Sequence, residues 1–400
     1  IVRSEEILRS YNLSASTIGQ YRHAWLEIRQ YCLDHGSKAY QQGMLLQYIQ
    51  EITKAYENGN TKYWKWKIRR KAATVLIEVA ETGSFCWKSL PYHDLSCGDA
   101  KLDEIRDHFV CTLQQRNLEP SYISLCEYVF RYSLKYADIQ AYEPLTKLNI
   151  EAISQIRKEF SKNCNKNSLT TIIPILRTVL QYLYAEKIIE QDYSGAIMTP
   201  FSQTTHLRSY IPMEEDEKLQ QALEMEPVRN RAILLLALKL GLREVDICCL
   251  KLSDIDWRHD CIHITQEKTG TALCLPLLPD VGNALMEYIL NERPKTEDRC
   301  PYVFLRRQAP YRRLKGAYHI CSSFLSRHNI QIINEQQRGL HLFRHTLTHR
   351  LLAARVPHPI ITDVLGHTSK ESNKPYLSME EDMLRMCALD LSLVGGPDYE

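Results

Sequence analysis

The chain has no apolar run long enough to cross a bilayer. Its longest, "AILLLAL" (232–238), falls far short of the roughly 20 residues that a spanning helix needs and reads as a buried helix. A basic start followed by an apolar segment and a small-residue cleavage site is also missing, so nothing argues for export and the expectation is a cytoplasmic protein. The 13 cysteines contain no CxxC pair. An odd number cannot all pair, and reduced, mostly buried thiols fit best. Adjacent Cys248 and Cys249 read as packing residues, since neighbours in a helix point to different faces. Net charge is scarce too, at +2, so affinity for an acidic partner has to come from local clustering. There is no GxxxxGK[ST] phosphate loop and no HExxH zinc motif.

What is present is an ordinary globular mixture, 44% apolar and 24% charged over 400 residues. At about one domain per 150 residues that length predicts two or three domains. Three helical patterns precede residue 90: "TIGQYRHAWLEIRQYC", with Tyr21, Trp25, Ile28 and Cys32 on one stripe, then "GMLLQYIQEI" and "KAATVLIEVAETGSF". After "LPYHDLSCGDA" comes a second group, "YISLCEYVFRYSLKY", "LNIEAISQIRKEF" and "LTTIIPILRTVLQYLYAEKII". "TVL" triplets at 74–76 and 178–180 suggest a repeat of about 104 residues. Its Ser, Thr and Pro mark 193–212 as a linker. The predicted division is therefore a helical domain at 1–92, a second at 100–192, the linker, and a different unit at 213–400. In that last unit, helical patterns at about 214–240 and 243–252 lead to "CIHIT" and "ALCLPL". These are two strands of a hairpin with Lys268 near the turn. The fold class expected is mainly α and multidomain, with one small antiparallel sheet.

Cations concentrate in two places. "TKYWKWKIRRK" (61–71) carries Lys62, Lys65, Lys67, Arg69, Arg70 and Lys71, interleaved with Tyr63, Trp64 and Trp66. "RRQAPYRRLK" (306–315) carries Arg306, Arg307, Arg312, Arg313 and Lys315. Such segments can pair with phosphates while their aromatics pack on sugars or on protein, and the first could instead be a solvated helix face. "HLFRHTLTHR" (341–350) spaces His341, His345 and His349 four apart on one helix face, which allows a metal reading. The missing glutamate and the neighbouring Arg344, Arg350 and Arg355 weigh against it. Alternatively His341 and Arg344, one turn apart, aim at an anion together. Arg243 follows a glycine that should end the apolar helix. It needs a partner, for which Asp246 is the structural candidate and an anionic ligand the functional one.

In order, "GLREVD", "EKTG", "HLFRH", "LGHTS" and a tyrosine nine residues after the last histidine resemble the signature of the tyrosine site-specific recombinases, the phage-integrase family. The resemblance covers roughly residues 215 to 390, with weaker support from an upstream domain similar to the family's core-binding domain. It implies that Tyr376 attacks a scissile phosphate of double-stranded DNA, leaving a 3′-phosphotyrosyl link and a free 5′-hydroxyl. Arg243 and Arg344 would clamp the non-bridging oxygens. Lys268 would protonate the leaving 5′-oxygen. His341 would assist proton transfer around the tyrosine and His367 would hydrogen-bond a phosphate oxygen. Asp246 and His345 would support the arginines. Because the covalent link conserves the phosphodiester energy, neither metal, ATP nor any other cofactor is implied. The family further implies a homotetramer on paired recombination sites, with accessory directionality or host DNA-bending factors, in a bacterial, nucleoid-associated setting.

Two features depart from the pattern. "NKPY" places Pro375 before the nucleophile, where many relatives carry a small polar residue. Proline suits the first position of a helix, so Tyr376 would sit in the opening turn of "PYLSMEEDMLRMCALDLSLV". Residues from about 380 onward would form the helix that docks on a neighbouring subunit. The second departure is residues 1–92, an extra helical unit expected to enlarge the DNA footprint through "TKYWKWKIRRK". The reading is an integrase that integrates or excises a mobile element or phage. Its alternatives are a chromosome-dimer resolvase, a DNA-binding regulator that has lost cleavage, and, more remotely, a metal-dependent hydrolase using His341, His345 and His349.

Overall fold

A computed structural model describes residues 1–37, 39–86, 97, 99–199, 208–296, 300–334 and 338–366. The chain divides into two compact units, one formed by residues 1–86 with 205–400 and the other by 87–204. The architecture is mainly helical with one small antiparallel sheet, as the patterning predicts. No helix among the described residues is long and apolar enough to cross a membrane.

The first stretch holds four helices: α1 (Val2–Ser10), α2 (Ala15–Asp34), α3 (Gln42–Glu57) and α4 (Tyr63–Thr82). Ser14 starts α2 by accepting a hydrogen bond from the Thr17 amide at 3.2 Å, satisfying one of the donors left over at a helix start. The apolar stripe of α2 is buried at Tyr21, Trp25 and Ile28, and the Trp25 indole donates to the carbonyl of Ala72 at 3.0 Å. Gly83 ends α4 in the left-handed conformation.

The 87–204 unit contains α5 (Ala100–Gln115), α6 (Pro120–Tyr136), the short α7 (Tyr142–Thr146), α8 (Ile150–Asn163) and α9 (Lys166–Ala185). Asn149 and Asn165 cap α8 and α9. Its core gathers the apolar faces of these helices around Phe109, Phe130, Phe160 and Leu176.

The remaining stretch runs α10 (Asp216–Glu224), α11 (Val228–Leu240), α12 (Glu244–Cys249), β1 (Ile255–Asp256), β2 (Cys261–Thr265), β3 (Ala272–Pro276), α13 (Pro279–Glu287), α14 (Tyr318–Arg327), α15 (Leu340–Ala353) and α16 (His358–Leu365). The strands form an antiparallel sheet in the order β1-β2-β3, with Ile262 opposite Leu275 and His263 opposite Cys274. One face of the hairpin, Ile262, Ile264 and Leu275, joins the core, and the alternate residues face outward. Central to that core is α11, in which "AILLLAL" is buried on every side. A helix with no polar face has to be surrounded, so the chemistry is left to its ends and to the elements around it.

Candidate active site

Helix α11 stops at Gly241, φ +64°, where a Cβ would come within 2.9 Å of Leu365 Cδ2 and 3.0 Å of Leu347 Cδ2. Glycine takes the left-handed turn without strain and leaves room for these two leucine side-chain ends. Two residues later Arg243 is the extended N-cap of α12. Its Nη1 donates to Oε1 of Gln266 at 2.6 Å. Gln266 follows β2 and is only 1% exposed. Its oxygen also accepts from the Thr269 hydroxyl at 2.7 Å, and its amide nitrogen donates to the carbonyl of Leu365 at 3.1 Å. That carbonyl accepts a second hydrogen bond, from Nη2 of Arg344 at 2.7 Å, and Nη1 of Arg344 donates to the Gly241 carbonyl. Arg344, 3% exposed on α15, and Arg243 are thus joined through one glutamine and the last residue of α16.

Arg243 thus bonds this glutamine directly, while its charge also acts on Asp246. Asp246 accepts the Glu267 amide at 2.9 Å and is buried. Burial raises its pKa, opposed by that hydrogen bond and by the charges of Arg243 and Arg344. Glu244, beside Arg243, caps the start of α14 by accepting the amide of Tyr318 at 3.1 Å.

Lys268 lies exposed in the turn between β2 and β3, closed by the Gly270 amide donating to the Gln266 carbonyl at 2.8 Å. His341 is at the start of α15. Surrounding protein atoms lower its pKa below 6.5, as do the nearby charges of Arg344, Arg243 and Lys268, against the pull of Glu244. His345 is buried, and burial followed by the charges of Arg208 and His341 pushes its pKa down to about 3. His349, the third of the spaced histidines, stacks on Tyr210 with ring centroids 3.9 Å apart. The three do not form a metal-ligating group among the described residues.

Helix α16 ends at Gly366, φ +62°, where a Cβ would meet the Gln266 amide at 2.6 Å. His367 and Tyr376, named from the sequence as phosphate ligand and nucleophile, lie outside the described residues, as does the subunit-docking segment beyond about 380.

The basic clusters are partly structural. In α4, Trp66 is buried and stacked on Tyr56 at 4.8 Å, Arg70 lies over the Trp66 ring at 5.0 Å, and Arg69 pairs with Glu27 at 2.6 Å. Lys71 sits over Phe85 at 4.9 Å. Lys62, Lys65 and Lys67 are exposed, together with Tyr63 and Trp64. In the second cluster Arg307, Arg312 and Lys315 are exposed and Arg306 and Arg313 half-buried. Arg312 lies over the Tyr11 ring, while Arg313 reaches the Cys249 sulfur at 2.6 Å and the Tyr302 ring.

Sequence reasoning missed Gln266. The available signal was its place between a β-strand pattern and "EKTG", at a position whose alternation with Ile262 and Ile264 makes it inward-facing.

Residues 209–382 match the family model described as the phage integrase family. A protein of Sinorhizobium fredii named as an integrase/recombinase, y4gC, is 39% identical over 164 residues, 41% of this chain and 83% of that one. Tyrosine recombinase XerC of Bacillus licheniformis is 24% identical over 271 residues, 66% of this chain and 86% of that protein. Two further S. fredii relatives are longer, and the matched regions span 59% and 57% of their lengths. Among solved structures, a lambda integrase tetramer bound to a Holliday junction aligns with a TM-score of 0.52 at 19% identity, over 76% of this chain and 84% of that one. With its matched domain and the y4gC relative, the chain belongs to the phage integrase family of tyrosine recombinases.

Proposed function

We propose that this chain cuts and rejoins DNA strands through a 3′-phosphotyrosyl intermediate, to integrate or excise a mobile element or phage. The observation that carries the reading is the joining of Arg243 to Arg344 through Gln266 and the Leu365 carbonyl. Two guanidinium groups held in this way suit a phosphate whose negative charge grows as phosphorus becomes five-coordinate. Tyr376 would supply the oxygen that forms the new P–O bond, and His341 would take the phenol proton. The surrounding protein and the neighbouring cations lower its pKa, which favours the neutral imidazole that can accept that proton. Lys268 would donate the proton that the departing 5′-oxygen needs, and His367 would hydrogen-bond a phosphate oxygen. Asp246 and His345 would hold the arginine-bearing elements in place.

In this reading residues 213–400 form the catalytic domain. The helical stretches 1–92 and 100–192 grip the DNA and 193–212 links them to the chemistry. The exposed Lys62, Lys65 and Lys67, with Arg307, Arg312 and Lys315, are the cations offered to phosphates. A homotetramer on paired sites accords with the lambda integrase assembly to which the fold is similar, and accessory DNA-bending or directionality proteins would set the outcome. The chain acts without metal or ATP.

The test is a suicide DNA substrate carrying the cognate repeats, incubated in EDTA without nucleotide. Wild type should form a covalent protein–DNA complex that Tyr376→Phe cannot form. Tight binding by wild type with no covalent complex would make the chain a regulator, and EDTA-sensitive cleavage that persists in Tyr376→Phe would make it a metal-dependent enzyme.

A further inference from the structure

The outward face of the β2–β3 hairpin carries an arrangement that the strand chemistry does not use. Cys261 and His263 are two residues apart on β2 and so share a face, and Cys274 on β3 stands directly opposite His263. The Cys261 sulfur is 3.1 Å from Nε2 of His263, and one ligand atom from each of the three residues lies within 4.8 Å of the others. His263 and Cys274 are exposed and Cys261 is half-buried, while the opposite face holds Ile262, Ile264 and Leu275 in the core. Reduced cysteine is among the residue types most often buried. Two thiols and an imidazole converging on the solvent side of one hairpin therefore ask for another explanation.

We propose that Cys261, His263 and Cys274 bind a thiophilic d10 cation, for which Zn2+ is the natural probe. The donor set fits soft sulfur and imidazole chemistry and does not fit Mg2+ or Ca2+, which take oxygen. Bonds of about 2.3 Å to sulfur and 2.0–2.1 Å to nitrogen place tetrahedral ligand atoms roughly 3.5–3.8 Å apart, so the three atoms need shift by less than about 1 Å. Binding releases the two thiol protons to solvent, and the two thiolates offset the charge of the ion. The fourth position is left to water or an external ligand. Asp256, opposite Cys261 in the sheet, is already taken by His259 at 2.7 Å and by the amides of Arg258 and His259. Room for such a ligand exists, because His263 and Cys274 also line a cavity of about 490 Å³. The ion would clasp β2 to β3, the two strands whose turn carries Lys268, and its binding does not depend on the proposed DNA chemistry.

The full chain, reduced and stripped of metal, would be titrated with Zn2+ against a chromophoric chelator and with Co2+ to observe thiolate-to-metal charge transfer. One ion per chain is expected, with the cobalt band. Cys261→Ser combined with Cys274→Ser should remove the band and weaken zinc binding at least roughly tenfold, and His263→Ala should weaken it alone. Replacing the exposed Cys86 and Cys111 by serine should change nothing. Circular dichroism confirms that each variant is folded. The proposal is overturned if the reduced chain takes up no zinc at micromolar concentration, if the double variant binds as wild type does, or if Cys261 and Cys274 form a disulfide whose reduction still restores no binding.

Discussion

The side-chain oxygen of Gln266 stands 2.6 Å from Nη1 of Arg243, while the nitrogen of the same amide donates to the Leu365 carbonyl that Arg344 also holds. One neutral side chain thereby sets the distance between two cations that would otherwise repel. Gln266→Ala leaves half-buried donors of Arg243 and Thr269 without their acceptor, a loss of roughly 1 kcal/mol or more. Single-turnover cleavage should fall about tenfold to a hundredfold while DNA affinity stays within about twofold. Equal losses in both quantities would reduce Gln266 to a folding residue.

Gly366 is the second point of vulnerability. At φ +62° and with Gln266 2.6 Å from where its Cβ would lie, Gly366→Ala incurs a left-handed strain of roughly 1–2 kcal/mol and displaces the glutamine as well. A lower melting temperature accompanied by failure to form the covalent complex is the expected result. Gly19→Ala, at a helical site with nothing within 4 Å of the new methyl group, should instead stabilise by about 0.5–1 kcal/mol. Comparable melting temperatures for Gly366→Ala and wild type would refute the packing argument.

His345 ties stability to pH. Its folded pKa, about 3, lies below its ordinary 6.5, so the folded state binds fewer protons than the unfolded one between those values. The stability it contributes is complete above pH 6.5 and is lost as pH falls toward 3, with a slope approaching about 1.4 kcal/mol per pH unit. Thermal melts from pH 7 to pH 5 should drop more steeply for wild type than for His345→Gln. Parallel profiles would show that this histidine is not held neutral by the fold.

Lys62, Lys65 and Lys67 are the exposed cations at the start of α4. If each meets a phosphate, the triple alanine variant should flatten the plot of log affinity against log salt by about 0.9 for every phosphate no longer neutralised. Arg69→Ala, which removes the partner of Glu27, should act on melting temperature before it acts on that slope. An unchanged slope in the triple variant would remove α4 from the DNA interface.

Helices and the β2–β3 hairpin are legible in the sequence because their apolar spacing is regular over many residues. Helix α1 is not, since it buries only Ser4 and Leu8, nor is α5, which buries only Leu102, Phe109 and Leu113 over its sixteen residues, and two-residue β1 is too short to show alternation. Motif order names the arginines, Lys268 and His341, but not the link between them. Gln266 meets Leu365 across 99 positions of sequence, and no local pattern encodes such a meeting. Helical spacing offers Asp246 as a partner for Arg243 and gives no sign that Arg243, preceding the helix with ψ 152°, reaches Gln266. In the 61–71 cluster, composition counts the cations correctly and cannot tell that Trp66 turns into the core and draws Arg70 over its ring.

Arg344 fastens the end of α11 to the end of α16 by giving one terminal nitrogen to the Gly241 carbonyl and the other to that of Leu365. A lysine in its place would keep the charge and lose the span, because a single ammonium nitrogen cannot reproduce the two-pronged guanidinium geometry. Loss of cleavage in Arg344→Lys would therefore mix a chemical defect with a mechanical one. The two separate in a binding experiment: a pure phosphate ligand can be removed without loosening the joint between these helices, whereas removing a rivet lets both helix ends move before any DNA arrives.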